Sequence, residues 1–399
     1  MLQWIWLVFI FAVGCCVGSF LNVVIYRLPR DKSIATPPSA CPACGRNIRF
    51  YDNIPLISWL VLGGKCRYCK APISQRYFVI ELLTGLVFTG LFILYFHIGL
   101  RRGLETFLNG GWFVYLLHII LLSALIAASA IDLERWLIPL SICWFVTAAG
   151  LIGSALGVYV INLAKIGGYL LLPSASASIS SLAAGAAIGL AISLGLLASG
   201  LIKRSYEMES AMPDGTDDAS ADQNEPRATP APSGVEGNHE SRINHRVEIC
   251  REIIFLLPII TCSAAAYVIT REIPSVRSWW VNFSQVPVIA GLFGSLWGYF
   301  IGCGVVWATR IFGTLGFGKE AMGLGDVHLM GAAGAVIGPV FVVVAFFVAP
   351  FFGLAWAASQ MLFKKIRQIP YSPFLSLGIL TVMILHDWIF NYLIGMFYH

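Results

Sequence analysis

"MLQWIWLVFIFAVGCCVGSFLNVVIY", residues 1–26, is apolar for longer than a signal-peptide core and has no Lys or Arg ahead of its apolar run. It is expected to be a retained first membrane helix rather than a removed leader. "AVGC", ending at Cys15, resembles a lipoprotein cleavage box, but without a basic leading segment Cys15 reads as a small apolar residue inside that helix. Working outward, the 399-residue chain is 58% hydrophobic and only 12% charged. Apolar runs recur near 77–100, 112–131, 137–160, 182–202, 252–270, 286–309, 327–343, 345–362 and 373–396. The expected fold is therefore all-α, a polytopic transmembrane bundle of about 8–10 spans in a lipid bilayer. Between 327 and 362 the only breaks are "IGP" and "APFFG", so one long tilted span is an alternative there.

The polar stretches divide the chain. Residues 27–76 carry nine Lys and Arg against Asp31 and Asp52, which marks a cytoplasmic loop. Counting spans from that loop places Asp132, residues 310–326 and "KKIR" at 364–367 on the same inner side, although Arg101 and Arg102 fall in an outer loop against the rule. A net charge of +5 on so large a chain, concentrated in one loop, speaks for membrane orientation and against a nucleic-acid surface. Residues 203–251 are rich in Pro, Ser, Asp and Gly and are expected to be disordered. The resulting division is a two-span region 1–100 with its loop 27–76, a membrane core of 101–160 and 286–399, and an insert 161–285 with two extra spans.

Within the basic loop, "CPAC" at 41–44 and "CRYC" at 66–69 form two C-x-x-C knuckles 21 residues apart. Cys41, Cys44, Cys66 and Cys69, in a reducing compartment and beside Lys and Arg, fit a tetrahedral structural zinc site better than disulfides or a redox pair. The other six cysteines have no such partners in sequence and read as packing residues.

Two acids stand where apolar runs meet the predicted inner face. Asp132 in "SAIDLERWLIP" ends one run and Asp326 in "GLGDVHLM" begins another. Carboxylates at equal depth on different helices can meet, one holding a proton while the other takes one from water, which hydrolyses an amide without a covalent intermediate. The competing reading is of two acids at helix ends in contact with interfacial water. Gly323 and Gly325 would let a substrate strand approach the backbone. Glu81, one turn into the second span, has three readings: holding a substrate amine, pairing with a loop arginine, or snorkelling. Asp387 reads as structural, and His97 and His118 as core histidines.

Together, "GSFLNVVIYRLP" at 18–29, "CPACGRNIRFYDNIPLISWL" at 41–60, "CRYCKAPIS" at 66–74, "ELLTG" at 81–85, "DLERWLIP" at 132–139, "KEAMGLGDVHLMGAAGAVIG" at 319–338 and "IPYSPFLSLG" at 369–378 resemble the prepilin leader peptidases, the GxGD membrane aspartyl proteases. The resemblance implies catalytic aspartates at Asp132 and Asp326, the pair already singled out by depth. It implies a bacterial inner-membrane enzyme that cleaves type IV prepilins or pseudopilins at the cytoplasmic face. It also implies methylation of the new N-terminus with S-adenosylmethionine, although no glycine-rich nucleotide fingerprint marks that site. Leu140 stands where the family commonly has an acid, His328 where it commonly has Lys, and 161–285 has no counterpart. A rival from another class is a non-catalytic scaffold or transporter with a zinc-bound module, in which Asp132 and Asp326 line an ion path. Sequence is silent on oligomeric state.

Overall fold

The computed structural model describes residues 2–104, 106–162, 171–203, 245–362 and 370–397. "KKIR" at 364–367 and most of the polar stretch 203–251 lie outside the described residues. The described chain is all-α. Its helices are α1 (Leu2–Arg27), α2 (Ile57–Val61), α3 (Gln75–Phe92), α4 (Gly111–Arg135), α5 (Leu140–Val160), α6 (Ala177–Ala198), α7 (His245–Glu272), α8 (Pro274–Ser284), α9 (Pro287–Phe317), α10 (Leu324–Ile337), α11 (Pro339–Leu362), α12 (Ser372–Ile384) and α13 (His386–Phe397). Eight are long and apolar enough to cross a bilayer, and α12 with α13 makes a ninth if that pair, bent by 75°, counts as one span. The chain is a multi-pass membrane protein.

α3 leads away from the cysteine loop, extended by a π-helical turn at Ile93–His97, and α4 returns. The side of that return is fixed by an ion pair between Arg76, in the first turn of α3, and Glu134, in the last turn of α4. The Asp132 end of α4 therefore shares a side with the cysteine loop, as span counting required. Other basic residues of the loop also have work inside it. Arg27 donates to the carbonyls of Ser33 at 3.0 Å and Pro37 at 2.6 Å, and Arg67 forks onto Asp52 at 2.6–3.0 Å.

α10 departs from the expected spans. It has 14 residues, about 21 Å at 1.5 Å per residue, too short to cross alone. It can sit inside the protein because it packs backbone to backbone on α9: a Cβ added at Gly298 or Gly302 would lie 2.0 Å or 2.2 Å from the carbonyl oxygens of Gly334 and Met330. Small residues are what permit such an approach in membranes. The break falls at Gly338, not near 344, and no single long span forms. Gly338 takes a positive φ of 88° and Pro339 has no N–H with which to continue the helix.

The last apolar run, expected as one span, breaks at Leu385. There the Asp387 carboxylate accepts from the Arg102 backbone N–H at 2.7 Å and faces His386 Nδ1 at 2.8 Å. Asp387 is thus structural, as expected. Arg101, the exception to the charge rule, is buried and faces His118 Nε2 at 3.3 Å while donating to the Leu171 carbonyl at 3.1 Å. It serves the interior rather than topology. His118 is a satisfied core histidine, with Tyr95 Oη 2.8 Å from Nδ1. His97, expected in the core, is exposed because the π-turn ends there.

α6 and α7 form a hairpin in which Ser263 donates to the Leu182 carbonyl at 2.9 Å and Ser193 to that of Phe255 at 2.7 Å. This hairpin packs on α9. α8, absent from the expected elements, ties to its base through Trp280 Nε1 and the Ala177 carbonyl at 2.9 Å.

Candidate active site and metal centre

Asp132 lies in the last turn of α4, where Trp136 takes a left-handed φ of 56° and returns its N–H to the Asp132 carbonyl at 2.9 Å. Its carboxylate is buried and accepts from the hydroxyl and backbone N–H of Ser372. Ser372 opens α12, so the positive end of a helix faces an acid, an arrangement that holds a carboxylate in place. Sequence reasoning passed over Ser372. The "SP" before an apolar run at 372 is a helix-start signal that could have drawn notice.

Asp326 occupies the first turn of α10 and is equally buried. Its charge interacts with those of Asp132 and Arg310, and Tyr371 and Cys143 are also within its electrostatic reach. The fold thus brings together the two acids picked out by depth, from helices 194 positions apart in sequence. Asp326 Oδ1 is buried and has no hydrogen-bond partner among the described residues. Such an oxygen beside a second acid is a natural position for a water or for a shared proton.

The neighbouring expectations divide. Gly323 is exposed, and a Cβ there would meet Asp326 Oδ2 only at 3.7 Å, so this edge of the site is open. Gly325 instead faces Ile138, whose Cβ would stand 2.8 Å from an added Cβ. Its smallness serves the packing of α10 against the segment before α5. His328 turns its Nδ1 to Tyr299 Oη at 3.2 Å, and Leu140 is exposed at the start of α5. Glu81 lies away from this pair, near the cysteine loop. It is buried and accepts the Leu56 backbone N–H at 2.8 Å, where Leu56 has a φ of 61°. It makes no ion pair with a loop arginine among the described residues.

The sulfur atoms of Cys41, Cys44, Cys66 and Cys69 all lie within 4.8 Å of one another, and none is in a disulfide. Each knuckle is built alike. Cys41 N–H bonds the Arg46 carbonyl at 2.9 Å and Cys66 N–H bonds that of Ala71 at 2.8 Å, with Gly45 and Lys70 in left-handed conformation at the matching turn. The Cys41 and Cys69 sulfurs are 3.8 Å apart. A tetrahedral ion with bonds of about 2.3 Å calls for sulfurs about 3.8 Å apart, so the four could hold zinc. The backbone N–H groups of Cys69 and Tyr68 bring the Cys66 thiol down to about 6.

Two family profiles match the chain: the Bacterial Peptidase A24 N-terminal domain over residues 12–95 and the Type IV leader peptidase family over 254–358. The first contains all four cysteines and Glu81, and the second contains Asp326. Over these stretches the chain is similar to the type IV leader peptidases. It is 48% identical over 135 residues to a prepilin leader peptidase/N-methyltransferase of Myxococcus xanthus, covering 34% of this chain and 36% of that protein. It is 43% identical over 145 residues to a type 4 prepilin-like proteins leader peptide-processing enzyme of Escherichia coli, 32% of this chain and 48% of that protein. A Pseudomonas aeruginosa prepilin leader peptidase/N-methyltransferase is 34% identical over 174 residues, 37% of this chain and 54% of that protein. The chain thus spans roughly a third to a half of these three relatives' lengths. No solved structure matches it. Asp132 lies in neither profile match, and the leader-peptidase match opens at 254, taking in most of α7, which sequence reading assigned to an insert.

Proposed function

We propose that this chain is a membrane aspartic endopeptidase that removes the basic leader of type IV prepilins or pseudopilins at the cytoplasmic face of a bacterial inner membrane. The observation that carries the reading is the buried pair Asp132 and Asp326, within each other's electrostatic reach and with one oxygen of Asp326 unpartnered among the described residues. In such a pair one carboxylate takes a proton from water as the oxygen attacks the scissile carbonyl. The other acid protonates the carbonyl oxygen, and the tetrahedral intermediate collapses with its C–N bond breaking as the first acid passes the water's proton to the leaving amine nitrogen. An ion path needs no such pair. The names of the relatives supply the substrate class, and the basic loop supplies the side of the membrane. Incubation of the purified full chain with a prepilin should yield a new N-terminus at the leader junction, read by mass spectrometry; an intact prepilin would overturn the reading. Ser372→Ala, which removes one donor to Asp132, should lower turnover about tenfold while KM stays unchanged.

The same relatives' names extend the proposal to N-methylation with S-adenosylmethionine. Between the cysteine loop and α1 and α3 lies a cavity of about 760 Å³ lined by Asn22, Tyr26, Trp59, Arg76, Tyr77 and Glu81, among others. Its size suits a cofactor-sized ligand. Asn22 Oδ1, Trp59 Nε1 and Arg76 Nε are buried with no hydrogen-bond partner among the described residues, and such groups at a cavity wall suit a polar ligand. The donor, when bound, supplies a methyl group on a positively charged sulfur. Of the two acids lining this cavity, Asp52 is taken by Arg67, which leaves Glu81 suited to that charge or to the new amine, and Tyr26, Trp59 and Tyr77 line the same cavity, where an aromatic ring can meet a base. Glu81→Gln or Trp59→Phe should weaken calorimetric binding of S-adenosylhomocysteine or S-adenosylmethionine at least about tenfold. Unaltered binding in both variants would move the site elsewhere.

A further inference from the structure

The most heavily buried charged side chain among the described residues is Arg310 of α9, with 1% of the residue exposed. Its Nε donates to Glu252 Oε1 at 2.8 Å, and its NH1 reaches both the Glu320 carboxylate and the Met322 carbonyl. Glu252 comes from α7 and is itself buried at 3%, its second oxygen taken by Trp307 Nε1 at 3.0 Å. One guanidinium therefore joins α7, α9 and the short segment between α9 and α10. A buried arginine tolerates this position only while acids and carbonyls satisfy it, and it holds its partners as firmly as they hold it.

That segment leads directly to the acid pair. α9 ends at Gly318 with a φ of 63°, and Ala321 N–H is caught by Thr314 Oγ1 at 3.3 Å. Met322, whose carbonyl Arg310 grips, stands four positions before Asp326. The Arg310 charge also reaches Asp326. Glu252 lies two residues ahead of the leader-peptidase match, on a helix from the stretch that sequence reading set apart as an insert.

We propose that α7 is a positioning arm for the acid pair: Glu252 orients Arg310, and Arg310 fixes residues 320–322 so that Asp326 is presented to Asp132. None of the three need touch substrate. Without Glu252 the guanidinium loses its anchor on α7, the loop gains alternative positions, and Asp326 spends less time opposite its partner. Misplacement of a reacting group by about 1 Å can cost about a hundredfold in rate.

The test uses the full chain, purified in lipid nanodiscs, with Glu252→Gln. Glu320→Gln is the second variant because Glu320 is 32% exposed at its side chain and tolerates substitution if the buried position does not. Hydrogen exchange of the backbone amides at 319–326 should quicken at least tenfold in both, with the amides of 41–69 unchanged. Prepilin turnover should fall between tenfold and a hundredfold at constant KM, the signature of lost positioning rather than lost binding. Unchanged exchange at 319–326 in both variants overturns the anchoring; faster exchange with unaltered turnover overturns its role in the reaction. The activity arm rests on the peptidase reading. If the wild-type chain cleaves no prepilin, that reading falls by itself, and the exchange measurement still decides the anchoring.

Discussion

Asp132→Asn and Asp326→Asn are each expected to reduce prepilin cleavage by a factor of about a thousand or more, because an amide neither accepts the proton of the attacking water nor donates one to the substrate. The substitutions are close to isosteric, so the bundle should remain intact. At 132 the amide oxygen can still accept from Ser372, which keeps the α4–α12 junction. At 326 the change removes a buried acid that faces another acid and has one oxygen without a partner among the described residues, so thermal stability should hold or rise. The pairing of lost turnover with retained stability distinguishes a reacting acid from one needed only for packing. Cleavage is read by mass spectrometry on purified protein and stability by thermal melting of the same preparation. Wild-type turnover in either variant would remove that residue from the reaction. A ruinous loss of stability in both would favour acids retained for structure.

What was legible in the sequence had local chemistry. The two knuckles announce themselves because the ligands of each lie three positions apart, and the backbone of a C-x-x-C turn already points both sulfurs to one side. Asp132 and Asp326 were legible because polarity is scarce in a chain of this composition, and because span counting set them on one side. The missed features share a different cause. "IGP" at 337–339 was legible as a break, but hydropathy is nearly continuous from 327 to 362 and set the boundary near 344, so it did not show that Gly338 and Pro339 end a short, largely buried helix. The close packing of Gly298 and Gly302 that makes such burial possible is a tertiary fact. Arg310 and Glu252 are 58 positions apart, and Asp132 and Ser372 are 240 apart. Nothing in one sequence ties such residues together. Arg101 misled in a similar way, since the charge rule treats an arginine as solvated whereas this one is consumed by His118 and the Leu171 carbonyl.

Replacing Cys66 by serine should take the chain from about one zinc ion to below a tenth of an ion, because three thiolates leave the fourth position open to solvent. The effect should reach beyond the ion. The module's turn at Phe50–Asn53 and α2 bury no residue, so a bound metal would add to its hydrogen bonds the cohesion that an apolar core does not supply. Acid should act in the same direction. With the Cys66 thiol at about 6, that sulfur is already a thiolate at pH 7 and binds metal without first losing its proton. Below pH 6 it must give one up, so proton release on binding should be larger by about one at pH 5 and affinity should fall with it. Calorimetry in buffers of different ionisation enthalpy measures the first, and metal analysis after dialysis the second. Cys41 and Cys66 both line the cavity beside Glu81, so loss of the ion should abolish binding of S-adenosylhomocysteine. Prepilin cleavage should survive, because Asp132 and Asp326 are held by α4, α10 and α12 and not by the module. Full metal content in Cys66→Ser would sink the four-thiolate site. Cleavage lost together with the metal would show instead that the module clamps the leader for the acid pair.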